Sequence, residues 1–329
     1  MKNIQHFKGS ILGLAIGDAL GYPCEFRTRQ QIFETFPGGI KTFVGLHDDI
    51  WPARPIIIGS GEMPPGTFSD DTQMTLALAE GLLAENHSLD EAMTEVGRAF
   101  VKWSVSPKNN RAPGGTCMTG CEALAKGIHW TRSGVQQSKG CGSAMRVAPI
   151  GLLFHNDLDR LVDYAKASSV MTHGHPAGID GAVSAALLVA SALNGESVET
   201  MFESVNRYCH STDFRTLWNR MPEYFDWTPS KVLVEGVLGE SWIAEEAVAS
   251  AFYCYQRAQD NFSEVVLVAA NTDGDSDSIA CIAGSIAGAA LGINAIPDDW
   301  VEEVEDSEYL KEISDRLFIK SQSNSNLSY

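Results

Sequence analysis

Two clusters of oxygen-bearing side chains mark the places where this chain could do chemistry. In "GTFSDDTQMTLALAEGLL", residues 66–83, Ser69, Asp70, Asp71 and Thr72 stand just before an apolar-periodic stretch. In "NTDGDSDSIACIAGSIAGAALGINA", residues 271–295, Asp273, Asp275 and Asp277 alternate, with Ser276 and Ser278 interleaved, and no charged side chain follows from Ile279 to Pro297. Carboxylate and hydroxyl oxygens suit hard cations such as Mg2+, Mn2+ or Ca2+ rather than zinc or copper. Either cluster alone offers too few ligands to close a site. Brought together, they hold enough for a pair of ions, with positions open to water and substrate. A plainer reading stays open, in which both clusters are N-caps and their acids complement the helix dipole. One acid suffices for a cap, however, and adjacent Asp70 and Asp71 repel each other. "DGDSDS" resembles half of an EF-hand loop but lacks that pattern's glycine and distal glutamate.

The bulk composition narrows the function class. The net charge is -18 and the pI about 4.8. Non-specific nucleic-acid binding, which needs a basic surface, is not expected. The seven cysteines are odd in number and several sit in apolar surroundings, as expected of reduced, buried thiols in a cytoplasmic protein. No second Cys pair stands at zinc-ribbon spacing, so a structural zinc is not expected. Lys2 and Lys8 before "SILGLAIGDALG" faintly imitate a signal peptide, but the apolar run ends at Asp18 and reads as a folded helix. Residues 279–296 are long enough for a membrane span. Ten of those 18 residues are Ala, Gly or Ser, and the stretch reads better as a wholly buried helix; no membrane association is expected.

Helical periodicity dominates the elements that must position the acids. It predicts helices over Gln5–Leu20, Gln73–Ala84, Leu89–Ser104, Thr119–His129, Leu158–Val170, Ala177–Leu193, Glu240–Ala258 and Ile279–Leu291. The only β-like runs are "KTFVGL" and "ARPIIIG", both within the Gly/Pro-rich region 36–66. Gly9, Gly13, Gly17 and Gly21 recur every four residues in the first helix. Each weakens a helix by about 1 kcal/mol relative to alanine, so a neighbouring helix packed backbone to backbone is expected to offset the stripe. No linker or repeat divides the chain. The expectation is one all-α domain over residues 1–320 with a polar, frayed tail, "SQSNSNLSY", over 321–329.

With those segments in place, a resemblance becomes plain. "GSILGLAIGDALGYPCEF", "FSDDTQMTLAL", "KGCGSAMRVAPIGLLF", "THGHPAGIDGA" and "DGDSDSIACIAGSIAGAALG" resemble, in order and spacing, the signature of the ADP-ribosylglycohydrolase family, the type that activates dinitrogenase reductase. The resemblance implies a single orthogonal helical bundle with two divalent cations, Mg2+ or Mn2+, in a cleft. It implies hydrolysis of the bond between C1″ of ADP-ribose and an acceptor. Its metal ligands would be Ser69, Asp70, Asp71, Asp275, Asp277 and Ser278. Family members often carry threonine at the two hydroxyl positions, and serine keeps the oxygen. Glu25 would be the catalytic or substrate-orienting carboxylate, and Asp18 a group bracing the ligand loops. Gly142, Ser143 and Met145 would border the pyrophosphate and ribose, with Gly115 and Thr116 in a similar role and His173 near the ligand. The implied partner is an ADP-ribosylated protein or an ADP-ribosyl small molecule, with arginine the favoured acceptor. Serine-linked ADP-ribose, a small metabolite, or a non-catalytic ADP-ribose-binding relative are the alternatives; the presence of both acid pairs and Glu25 disfavours the last.

Overall fold

The glycine stripe does find a helix against it. The helices Ile4–Gly21 and Ser276–Leu291, from opposite ends of the chain, pack along each other at the centre of the protein. A Cβ on Gly9 would stand 2.3 Å from Gly288 O, and one on Gly17 would stand 2.0 Å from Ala280 O. The constraint is reciprocal: a Cβ on Gly284 would meet Gly13 O at 2.1 Å. Every residue from Gly9 to Gly21 and from Ser276 to Ala289 is buried, so both helices are apolar all round for the reason expected of core helices.

This is a computed structural model, and it describes residues 3–45, 63–85, 87–234 and 236–325. Among the described residues it is all-α: helices joined by turns, with isolated β-bridges and no strand. The "KTFVGL" run is irregular over residues 41–45, and "ARPIIIG" lies outside the described residues. Around the central pair stand the helices Asp70–Leu83, Leu89–Ser104, Leu158–Val170, Pro176–Leu193, Ala244–Arg257, Phe262–Ala270 and Ser307–Ser325. Pro176–Leu193 is long and apolar enough to cross a bilayer by length and composition, but 89% of it is buried inside the protein.

Local chemistry explains the boundaries. Leu89–Ser104 is capped by Ser88, which accepts from Glu91 N, has Asp90 and Glu91 in its first turn and Lys102 in its last. The helix expected at Thr119–His129 instead runs from Gly115 to Ala125, and Gly127 follows with φ +80°. The helix expected from Glu240 starts at Ala244. Residues 240–243 form a turn, with Ser241 at φ +64°, because the Glu240 carbonyl accepts from Asp275 N at 3.0 Å. The last helix continues past residue 320 to Ser325, with Ser321 buried, through the first residues of the polar tail.

Candidate metal centre

The two acid clusters meet. Ser278 Oγ donates to Asp71 Oδ2 at 2.9 Å, across 207 positions of sequence. Ser69 caps the Asp70–Leu83 helix and accepts from Asp71 N at 3.2 Å. Asp70 Oδ2 accepts from Gly114 N at 3.2 Å, so the opening of the Gly115–Ala125 helix is turned toward the acids, as the helix dipole favours. Asp18, fully buried, binds this entrance from the first helix. Its carboxylate accepts from Ser69 N at 2.9 Å, Thr72 N at 2.9 Å and Thr72 Oγ1 at 2.6 Å, which is the bracing role expected of it. On the other side, Glu25, Asp275 and Asp277 are all buried, and one oxygen from each lies within 4.8 Å of the others. Glu25 is thus a member of the carboxylate group itself. Asp273 stands apart, accepting from Arg29 N at 2.5 Å at the start of the Arg29–Thr35 helix, whose N-cap is Thr28.

Such a group is costly unless a cation joins it. Burial pushes the carboxyls of Asp70, Asp71 and Asp277 well above their usual range and raises Asp275 as well; neighbouring charges from Asp18, Asp70, Asp275 and Glu25 add to the effect. Among the described residues no Lys or Arg forms an ion pair with Asp18, Asp70, Asp71, Asp275 or Asp277. Asp277 Oδ1 is buried and takes no hydrogen bond. Buried carboxylates without partners either neutralise or bind a cation. A set of acid oxygens that includes a buried one without a hydrogen bond fits hard divalent ions.

The other sequence-singled residues lie around this group in different states. Gly115 opens its helix at the surface, and Thr116 Oγ1 pairs with Ser138 Oγ at 3.1 Å. Gly142 is buried in a 3-10 turn where a Cβ would strike Cys117 Sγ at 2.8 Å and the His173 ring at 2.9 Å. Ser143 is fully buried; its hydroxyl donates to Gly178 O at 3.2 Å and accepts from Ser169 Oγ at 3.0 Å, so it braces the loop from within. Met145 is buried with its sulfur 3.9 Å from Ser278 Oγ. His173 is buried, paired through Nδ1 with Thr172 Oγ1 at 2.8 Å. Burial, and then the nearby Arg146 guanidinium, push its pKa down to about 3, so the ring is neutral.

Comparison with known proteins gives the family. The family pattern described as ADP-ribosylglycohydrolase matches residues 1–326. The chain belongs to the ADP-ribosylglycohydrolase family. An uncharacterized protein of Archaeoglobus fulgidus is 35% identical over 316 residues, covering 95% of this chain and 96% of its own. ADP-ribosylarginine hydrolase Tri1 of Pseudomonas putida is 28% identical, covering 94% of this chain and 77% of its own. A solved structure titled ADP-ribosylglycohydrolase-related protein complex superposes with a TM-score of 0.71 at 26% identity, covering 98% of this chain and 100% of that one. As a member of that family the chain is a hydrolase, and its fold is the all-α fold shared with that solved structure.

Several contacts of the centre go beyond what the sequence shows. Thr72 gives Asp18 two of its three hydrogen bonds. Cys141 Sγ donates to Asp275 Oδ2 at 3.0 Å. Gly274, at φ +79°, lets Glu240 O approach; a Cβ there would lie 2.2 Å from that oxygen. Phe26, at φ +62°, stacks on Trp242 with centroids 4.5 Å apart and planes 6° from parallel. All but Trp242 were legible only as members of quoted motifs, since no spacing rule singles them out.

The acid group also sets a pH dependence. Burial pushes the Asp18 carboxyl up from 3.8 to about 6, against the opposing hydrogen bonds from Thr72 and Ser69. A raised carboxyl favours the protonated folded state, so its stabilising contribution is full below the unfolded value and is lost as pH rises through about 6. The size is on the order of 3 kcal/mol. Thermal unfolding of chelator-treated protein is therefore expected to show stability falling as pH rises through that window. With Mg2+ or Mn2+ present the trend should reverse, because acid expels the ions. A flat profile in both states would contradict the electrostatic picture.

Proposed function

We propose that this chain is a hydrolase that removes ADP-ribose from an arginine side chain, using two divalent cations, Mg2+ or Mn2+, held by Ser69, Asp70, Asp71, Asp275, Asp277 and Ser278. The observation that carries the reading is the junction of the two acid clusters through the Ser278–Asp71 hydrogen bond, beside the Glu25, Asp275 and Asp277 group. When bound, such ions supply Lewis acidity that orients ribose hydroxyls and acidifies water. The chain's own groups do the rest. Loss of the acceptor from C1″ builds positive charge on the ribose, which a wall of fixed carboxylates stabilises. Glu25, buried in one group with Asp275 and Asp277, is the carboxyl this reading assigns to carry the proton between water and the leaving nitrogen. Asp18 holds the Asp70–Asp71 turn rigid so that the ligands do not drift.

Arginine as acceptor is supported by the likeness to an ADP-ribosylarginine hydrolase and by the rim of the site. Trp242 is 47% exposed and stacked on Phe26, which directly follows Glu25. Its backbone carbonyl accepts from Cys141 N at 3.2 Å, which ties its segment to the residue whose Sγ meets Asp275. A planar guanidinium is attracted both to an exposed indole face and to nearby carboxylates. Trp242→Ala is expected to raise KM for ADP-ribosyl-arginine about fivefold with kcat little changed, since about 1 kcal/mol of stacking is removed. The direct test is ADP-ribose release from arginine-linked, serine-linked and small-molecule ADP-ribosyl substrates assayed side by side. Arginine-linked substrate should turn over fastest. Exhaustive chelation should slow it by about 100-fold or more, and Mg2+ or Mn2+ should restore it. Equal turnover after chelation, or preference for serine-linked substrate, would overturn the corresponding half of the reading.

A further inference from the structure

Two sulfur atoms border the oxygen ligands, and the proposed reaction uses neither. Cys141 Sγ lies 3.0 Å from Asp275 Oδ2 and 3.7 Å from Ser278 Oγ. Met145 Sδ lies 3.9 Å from the same Ser278 Oγ. Donors around one ion with bonds of about 2.0–2.3 Å stand roughly 3–4 Å apart. Cys141 Sγ, Asp275 Oδ2 and Ser278 Oγ are spaced as ligands of a common ion would be. Independently, Asp277, which shares a carboxylate group with Asp275, has a buried Oδ1 that takes no hydrogen bond and so lacks the cation or donor a buried carboxylate calls for. Cys281, the neighbouring thiol, instead donates to Met145 O at 3.4 Å.

We infer that the centre also takes thiophilic divalent cations, Cd2+, Zn2+ or Co2+, through Cys141 Sγ together with Asp275 and Ser278. The inference rests on the metal-centre reading above. Sulfur is the soft donor that an all-oxygen site lacks, and thiolate ligation selects these ions over Mg2+. Binding breaks the S–H bond: the sulfur electron pair goes to the ion, the proton goes to solvent, and nothing is oxidised or reduced. A soft ion fixed in this way occupies ligands that the hydrolytic ions need, so thiophilic ions act on this chain as inhibitors.

The experiment is Co2+ titration of the full-length, chelator-stripped protein under reducing conditions, followed by absorption. The expected result is a near-ultraviolet thiolate-to-cobalt charge-transfer band that rises with occupancy and accompanies proton release. Cys141→Ser should bind Co2+ without the band, and its preference for Cd2+ over Mg2+ should fall about tenfold or more. Cys281→Ser should keep the band. A second measurement needs no variant: X-ray absorption of the Zn2+-loaded wild type should contain a sulfur scatterer at about 2.3 Å. Co2+ binding without the band, or a band that persists in Cys141→Ser, overturns sulfur ligation while leaving the metal centre standing. Failure of Co2+ and Mn2+ alike to bind overturns both.

Discussion

Replacing Asp277 by asparagine is expected to slow ADP-ribose release by about 100- to 1,000-fold while far-ultraviolet circular dichroism remains that of the wild type. The size follows from losing one carboxylate from the group of Glu25, Asp275 and Asp277, because charge stabilisation by a bound ion is worth several kcal/mol and each 1.36 kcal/mol is tenfold in rate. The same substitution should make the metal-free protein more stable, not less. Asp277 is buried with the charges of Glu25, Asp275, Asp71 and Asp18 acting on it, and nothing bonds its Oδ1. An amide removes that repulsion. Thermal unfolding with and without Mn2+ separates the two effects: the variant should start higher and gain less from the ion. A variant that lost stability without metal and kept its activity would mean that Asp277 is a structural acid.

Gly17→Ala should prevent stable folding, at a cost of about 3–5 kcal/mol or more. The new methyl would lie 2.0 Å from Ala280 O, a backbone atom in the middle of a buried helix. Neither helix can yield, because the contact repeats at Gly9, Gly13, Gly284 and Gly288 along the same seam. The seam also reaches the site: a Cβ on Gly21 would stand 2.5 Å from Asp277 Cα. Forcing the helices apart therefore moves Asp18 and Glu25 away from Asp277. Gly115→Ala supplies the control. Nothing lies within 4 Å of a Cβ there, and stability should change by less than about 1 kcal/mol. Denaturant unfolding of the two variants would decide it, and a Gly17→Ala protein of near wild-type midpoint would refute the packing account.

What the sequence disclosed followed from what periodicity and chemistry can carry. Leu89–Ser104 and Leu158–Val170 were legible to the residue because caps and an apolar stripe agree on their ends. The stripe of glycines implied a partner helix, and oxygen donors at two helix entrances implied a meeting point. The helices Val198–Tyr208, Phe262–Ala270 and Ser307–Ser325 went unread. For Phe262–Ala270 the reason is physical: "FSEVVLVAA" is a short β-branched apolar run whose period is ambiguous, although Asn261 caps it through Glu264 N. Within the site, the Asp18 brace was legible from its motif. The placement of Glu25 among the metal-side carboxylates was not, since a turn at Tyr22–Cys24 and the Arg27–Gly274 bridge bring it there. The contacts of Cys141 and Trp242 with the site were illegible for the same reason: long-range backbone pairing, Gly140 with Ile243 and Asp275 with Glu240, delivers them.

The account stands on ions held between the chain's two ends, and crystals grown with Mn2+ test that most directly. An anomalous difference map should contain two peaks per chain, both enclosed by the side chains of Ser69, Asp70, Asp71, Asp275, Asp277 and Ser278. A map from active protein with no peak at that junction, or with manganese bound only elsewhere, would contradict it.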